Sequence, residues 1–488
     1  MDRNVQPSFG RTSAGLAVAC ALAVAALGGS GCASGRGPLA KPAVSVPSPP
    51  AWSQAAGVAT TGDDLARWWE RLQDPTLNSL IDRALQNNRD VRTARSRLRQ
   101  ARAQVQLTHA NRLPSVSASG SGSFNDSTKS DASGSASGGI DASWELDVFG
   151  ALKDAEVGAR ADMARTAENL RGTQVSVVAE VANDYVNLRG YQRRLAIARQ
   201  SLQAQTETLQ ITEWRAQAGQ VSSLDVEQAR TTVNQTRAAL PSLETNIAQT
   251  EHALAVLLGV EPAALVAELE REGPIPALPP QVSAGIPAET LRQRPDIRAA
   301  ERAIVAETAR LSQADKARYP SFRLSGSLIV QAMTGALTGG TSLVTSLVGS
   351  LSQPLFDGGR IRQQIEIQSA VQEQAVISYE ATVISALREV EDALVSFTKN
   401  AERLVSLRAA AESARMAALL ARNRYTAGLI DFQTVLDTER TVLSAEESEA
   451  LTQTAQVTSL VQLYKALGGG WSASDGGSDS GSRAGKQS

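Results

Sequence analysis

The chain is poor in the residues that most protein chemistry uses. Of its 488 residues, only two are cysteines and two are histidines. Cys20 and Cys32 both lie near the N-terminus, so neither a disulfide framework nor a zinc site can be built in the body of the chain. His109 and His252 are far apart, each in a helical stretch, and read as helix-surface or packing residues. Aromatic residues are 4 % of the total, while Ala, Gln, Arg, Glu and Leu dominate the middle, a balance that suits long helices better than a bulky globular core. The net charge is −2 and no basic block occurs, which leaves no electrostatic footprint for nucleic acid. Ser, Asp and Arg are plentiful, yet they form no nucleophile elbow, phosphate loop or metal cluster, so an enzyme is the weakest reading.

Long apolar runs are also missing, apart from one at the start. Arg3 and Arg11 precede an uncharged, mostly apolar stretch of 14 residues, Ala14 to Leu27. It is too short for an ordinary membrane-spanning helix. Gly28-Gly29-Ser30-Gly31-Cys32 follows. The pattern resembles a bacterial lipoprotein signal, with residues 1–31 removed and Cys32 acylated, although Gly29 stands where a large apolar residue is usual. The alternative is an ordinary signal cut in the same region, leaving Cys32 unmodified. Ala33, rather than Asp, after the cysteine implies an outer-membrane destination. That lipid is the only attached group expected, and no cofactor is. Residues 32–62, rich in Pro, Ser, Ala and Gly, read as a flexible tether, and order is expected from Asp63. Residues 468–488 read as a disordered tail, with Trp471 the last anchored residue.

What the chain has instead is a pair of alternating stretches between helices. Over residues 113–150, Val116, Ala118, Gly120, Gly122 and Phe124 alternate with five serines, Ser115 to Ser123. Ile140, Ala142, Trp144, Leu146 and Val148 then alternate with Asp141, Ser143, Glu145 and Asp147. Side chains alternate across a strand, so this is a hairpin with one dry and one wet face. A second hairpin is expected over residues 320–356, where Phe322, Leu324, Gly326, Leu328 and Val330 alternate with Arg323, Ser325 and Ser327. Its return strand, Thr341 to Leu355, alternates less cleanly.

The helices repeat as well. Asp74 and Pro75 suit a helix start, and that helix is expected to run to about Asn111. A long helix follows over 151–218, free of proline, with Val181, Leu188, Leu195, Leu202 and Leu209 in a seven-residue step. A return helix spans 220–258, with Pro241 expected to kink or divide it, and a proline-punctuated linker fills 259–286. Then Arg89 onward aligns without gaps with Pro295 onward, at an offset of 206 that drifts only to 209 by Gly219 and Gly428. The chain is therefore a duplicated half: 63–286, then 287–467 with its long helix at 360–427 and return helix at 430–467.

Four strands of about ten residues each could cross a bilayer if tilted. They would leave two edges whose N–H and C=O groups cannot sit unpaired in lipid. Two chains would close a barrel filled by its own side chains, whereas three would leave a lumen. Long helices of roughly 100 Å would continue that wall as a cylinder.

Several motifs carry a family resemblance over Asp63 to Leu467. They are WW-x-x-L-x-DP-x-L-x-x-LI at Trp68 to Ile81, LP-x-L at Leu240 with LAVLLG at Leu254, RPDIRAAER at Arg294 and QPLFDGGR at Gln353. The chain resembles the outer-membrane efflux channels of the TolC-like family, in the lipoprotein branch serving tripartite drug-efflux systems. The resemblance implies a homotrimer: a twelve-stranded β-barrel in outer-membrane lipid above a periplasmic α-barrel. It implies a periplasmic adaptor and an inner-membrane pump of the RND type as partners. It places Tyr425, Asp437, Arg440 and Gln433 at the periplasmic gate, where Gln433 replaces a frequent apolar residue, with Asp225 as the first-half aspartate of the same kind. It places adaptor docking at Gly219, Gln220, Val221, Gly428, Leu429 and Ile430. Asp437 would attract cations or pair with Arg440; the plainer alternative is a solvated pair one turn apart. The expected function is passive conduction of small toxic compounds. Export of proteins or metal ions is the alternative within the family, although the chain has only four methionines. A helical scaffold or adhesin without lipid-facing hairpins is the alternative outside it.

Overall fold

A computed structural model describes residues 51–53, 65–127, 130–282, 287, 292–334 and 340–471. The signal segment, Cys32 and residues 472–488 lie outside the described residues. Seven long helices and four strands follow in two matching sets. They are α1 (Pro75–Asn87), α2 (Arg89–Ala110), β1 (Ser115–Ser127), β2 (Ser130–Leu146), α3 (Ala151–Gln217) and α4 (Ser223–Leu257). The second set is α5 (Pro295–Lys316), β3 (Ser321–Thr334), β4 (Gly340–Ser352), α6 (Arg360–Thr426) and α7 (Phe432–Ala466).

The helix expected from Pro75 to Asn111 is two helices. Asn88 ends α1 by donating its backbone N–H to Ala84 and starts α2 by accepting from Asp90 and Val91. Its side-chain nitrogen also donates to the Leu257 carbonyl at 2.8 Å, tying the break to α4. At the other end, Asp74 caps α1, with Pro75 at its first position. Pro241, by contrast, does not divide α4, which is continuous through it. The proline is on the exposed side of that helix, while Leu243 and its neighbours pack against Leu195 and Ala198 of α3.

Both α3 and α6 run 67 residues, about 100 Å at the helical rise. Each is launched by a glycine with positive φ, Gly150 at 77° and Gly359 at 86°. Asp147 accepts from the N–H groups of Leu152 and Lys153, and Asp357 from those of Gly359 and Ile361. Two donor bonds hold the Asp357 carboxyl below its ordinary range.

The main core is a belt around the middle of the helices. Trp68, Leu72, Leu77, Leu80, Ile81, Leu254, Leu258 and Tyr464 pack around Val181, Tyr185 and Leu188 of α3, all essentially inaccessible to water. The seven-residue step delivers Val181, Leu188 and Leu195 in α3 and Val383, Val390 and Leu404 in α6 to buried positions. Tyr185 donates its hydroxyl to Asp74 at 2.7 Å, and burial pushes that phenol up to about 12.

Three segments read as linker, tether and tail also contribute to this belt. Leu265, Leu269 and Ile275 of the proline-rich segment are buried, and Gln192 donates to the Leu269 carbonyl at 2.8 Å. Trp52, inside the expected tether, is buried in the core, and Ser53 donates twice to the Glu391 carboxylate. Gly468 to Gly470 are buried where the tail was expected, and a Cβ would crowd Arg294 at Gly468 and Leu65 and Trp68 at Gly469. The guanidinium groups of Arg171 and Arg298 lie over the Trp471 ring, 4.6 and 5.2 Å from its centroid. Glu168 holds both arginines, at 2.7 and 3.0 Å.

The belt contains one charge at a disadvantage. Asp184 is half-buried on α3, and loss of water, with Glu180 one turn away, pushes its carboxyl from 3.8 up to about 6. An acid that binds its proton more tightly when folded makes stability fall as pH rises through this interval and stay level above it. Asp184→Asn is therefore expected to raise stability at pH 7.5 by about 1 kcal/mol, after discounting for its partial exposure. At pH 4 the gain should vanish. Melting the detergent-solubilised protein at both values checks this, and an equal gain at both would refute it.

A close helix crossing gives a second expectation. Gly190 of α3 faces Thr454 of α7, where an added Cβ would lie 2.4 Å from the hydroxyl oxygen. Gly190→Ala should cost about 1–3 kcal/mol through overpacking, and Gly190→Ala with Thr454→Ala should recover part of it in the same melt.

Candidate functional site: the bore wall and the helical tip

The strands form one antiparallel sheet in the order β1-β2-β3-β4, with the two hairpins joined through β2 and β3. They run 13, 17, 14 and 13 residues, longer than the expected ten or so. Register assigns the faces. Val116 is opposite Ala142, which is opposite Gly326, which is opposite Leu347. Ser117 is opposite Asp141, then Ser327, then Ser346. Over the continuous register, below the β1 irregularity between Asn125 and Ser127, the first face carries Phe124, Ile140, Trp144, Leu328, Val330, Leu343 and Leu351 and no charged residue. Many of these side chains are bare: Val116 is 69 % exposed, Phe124 74 % and Leu347 76 %.

The second face is a ladder of hydroxyls. Ser115 meets Ser143, Ser121 meets Ser137, Ser123 meets Ser135 and Ser327 meets Ser346, all at 2.7–2.9 Å. Ser119 donates to Asp141 at 3.0 Å. Register also resolves the irregular return strand, since Val344 and Val348 fall on this polar face, Val344 opposite Ile329. The sheet is therefore built to stand between an apolar medium and water.

At the other end of the long helices are two hairpin turns, α3–α4 and α6–α7. Both close in the same way. Gln220 donates to the Arg215 carbonyl and Leu429 to that of Arg424, with Gly219 at φ 70° and Gly428 at φ 74°. Ser222 and Asp431 then cap the return helices. Gly219, Gln220 and Gly428 are exposed and Leu429 is 74 % exposed, whereas Val221 and Ile430 are half-buried. Ile430 packs against the small core of the tip.

The structure separates the residues that the resemblance grouped as a gate. Tyr425 is buried with Ala229, Ala421, Phe432, Val435 and Leu436. The Arg215 guanidinium lies over its ring at 4.5 Å and donates to its carbonyl at 2.6 Å. Its hydroxyl meets that of Thr212 at 3.2 Å. Asp437 is exposed and accepts from Gln433 at 2.9 Å, while Arg440 reaches Thr232 of α4 at 3.3 Å. Asp437 and Arg440 thus have different partners within the chain. Asp225 completes the capping box of α4, where one carboxylate oxygen accepts from the Ser222 N–H and hydroxyl. By the repeat, its counterpart is Thr434, not Asp437.

Sequence reasoning missed the residues of α3 that tie the second hairpin in place. Besides Arg215, Thr208 donates to Glu439 at 2.6 Å, and Glu207 pairs with Arg422. Burial pushes the Glu439 carboxyl up, against that hydrogen bond. Arg215 and Arg424 are equivalent in the repeat, and only their surroundings distinguish them.

Comparison with known proteins gives this geometry a family. The profile of the outer membrane efflux protein family matches residues 80–260 and 286–469, both halves of the duplication. Cation efflux system protein CusC of Escherichia coli O6:H1 is 31 % identical over 436 residues, 88 % of this chain and 94 % of that protein. Toluene efflux pump outer membrane protein TtgI of Pseudomonas putida is 32 % identical, covering 83 % of this chain and 87 % of that one. Among solved structures, the outer-membrane channel OprN superimposes with a TM-score of 0.80 at 35 % identity, covering 88 % of this chain and 99 % of that one. A duplicated body of long helices, ending in a sheet with one charge-free face and one hydroxyl face, makes this chain a member of the outer membrane efflux protein family.

Proposed function

We propose that three copies of this chain form one passive duct, through which small toxic compounds leave the periplasm for the exterior. The observation that carries this reading is the sheet, whose two faces suit lipid and water while its two edges stay open. Three copies supply twelve strands, enough to close the wall around a water-filled lumen. The duct performs no catalysis. It receives cargo from a periplasmic adaptor and an inner-membrane pump, which dock at the exposed turns around Gly219 and Gly428. Acylation at Cys32 adds a lipid anchor.

One relative is named for cations and another for toluene. Ducts so alike serving such unlike cargo support a reading in which the pump, not this chain, selects the compound. The bore face agrees, since its serine hydroxyls, with Asp141, Glu145 and Arg323 among them, make a mixed polar wall rather than a site shaped for one compound.

At the tip, the resting entrance is held by α3. Arg215, half-buried against Tyr425, links the two hairpins of one copy, and exposed Asp437 is available to the other copies around the axis. Replacing Arg215 with Met keeps bulk but removes the bond to the Tyr425 carbonyl. Single-channel conductance in planar bilayers should rise several-fold for Arg215→Met and further with Asp437→Ala. Unchanged conductance in both variants would remove the gate from this reading. The duct itself is tested in cells: loss of the chain should raise retention of a fluorescent pump substrate, and unaltered retention would refute the export role.

A further inference from the structure

The two bare edges, β1 and β4, are joined to one another by the logic of the duplication. Pro114-Ser115 aligns with Pro320-Ser321, so β1 corresponds to β3 at an offset of 206. Val148-Phe149 aligns with Leu355-Phe356, so β2 corresponds to β4 at an offset of 207. These offsets preserve the faces: Trp144 and Ile140 correspond to Leu351 and Leu347, all on the charge-free side. Within the chain, the hairpins meet at the β2–β3 junction, where Ser143 is opposite Ser325. Shifting Ser143 forward by 207 and Ser325 back by 206 sets Ser350 opposite Ser119.

Aromatic packing, compared at the same offsets, fits this register. At the foot of the β2–β3 junction, Phe149 stacks on Tyr319 with centroids 4.8 Å apart and leans on Phe322 at 6.4 Å. Its counterpart Phe356 is 92 % exposed, and its neighbour Leu355 is 97 % exposed. The counterparts of Tyr319 and Phe322 are Leu113 and Val116, 55 % and 69 % exposed. They are bare on one edge of the sheet, and Phe356 is bare on the other. This is the pattern expected when one of two equivalent junctions lies inside the chain and the other between chains.

We propose that β4 of one copy pairs antiparallel with β1 of the next, Ser350 opposite Ser119, with Phe356 seated on Leu113 and Val116 of that next copy. This inference rests on the ring reading above and adds its register. A slip of one residue would turn Leu343, Leu347 and Leu351 into the bore. A slip of two keeps the faces but moves Phe356 about 7 Å from its seat.

Cysteine pairs in the full chain, oxidised in outer-membrane preparations, test the register. Ser350→Cys with Ser119→Cys should give a disulfide-linked ladder up to a trimer on non-reducing gels. Ser350→Cys with Ser117→Cys or with Ser121→Cys should give little, and the single variants control for Cys20 and Cys32. Dominant linkage through 117 or 121, or no linkage in a protein of trimeric mass, overturns the proposed pairing and leaves the ring intact. A monomeric mass by light scattering in detergent overturns the ring itself. Phe356→Ala should also lower the temperature at which the trimer dissociates in SDS, while Leu328→Ala, on the same face but away from either edge, should not.

Discussion

A peptide group that loses water must find another hydrogen-bond partner, and in a bilayer no solvent supplies one. The four strands satisfy their inner neighbours and leave two full edges bare. That deficit determines how the rest of the chain has to behave. A single sheet with a charge-free face cannot sit in lipid alone, so the chain requires copies of itself. Because the chain is duplicated, the join between copies repeats a join already made inside it. The helices inherit the same arrangement, with α3 and α6 equal in length and launched by the same aspartate-and-glycine device.

The seam inside the chain carries a row of ion pairs beside its apolar contacts. Lys316 pairs with Asp154, Arg310 with Asp162 and Arg298 with Glu168, all between α5 and α3. Just below the sheet, Glu156 is 4 % exposed and is bound by Arg112 and Arg160, which hold its carboxyl down at about 2 despite burial. Arg112 also offers its carbonyl to the Trp144 indole, so a base in the turn after α2, an acid of α3 and an aromatic of β2 share one knot. Buried pairs of this kind contribute little net stability, since desolvation offsets much of their attraction. Their value here is positional, because a misplaced helix leaves a carboxylate unpaired. Register of the helices against the sheet is therefore set where the two meet.

Much of this was legible in the sequence because it is periodic. Alternation located β1, β2 and β3, the hairpin pattern implied β4, a seven-residue step located the buried faces of α3 and α6, and the repeat located the halves. What escaped were features set by contacts between distant segments. Asn88 reads as one more polar helix residue until the Leu257 carbonyl gives its side chain a reason to break the helix. Trp52 lies in a stretch whose composition says tether, yet one indole with a cavity to fill outweighs the composition around it. Val344 and Val348 looked irregular because alternation was sought as apolar against polar, while the bore tolerates both. The tip was legible as a turn but not as a lock, since Arg215 has the same local sequence role as Arg424.

The tip also shows where the two halves had to stop being alike. Their turns close identically, yet the positions beneath them differ: Tyr425 stands against Ala216 in the repeat, Phe432 against Ser223 and Glu439 against Arg230. The second hairpin brings the aromatic core, and the first brings the cation that covers it. A symmetric tip would have two equal hairpins and no reason for one to hold the other. Once the bulk is on one side and the donor on the other, the hairpins form a pair whose contact can be broken without unfolding either helix. Duplication supplies the wall, where sameness closes a ring. Divergence at a few positions of the tip supplies a contact between the two hairpins that sameness alone would not make.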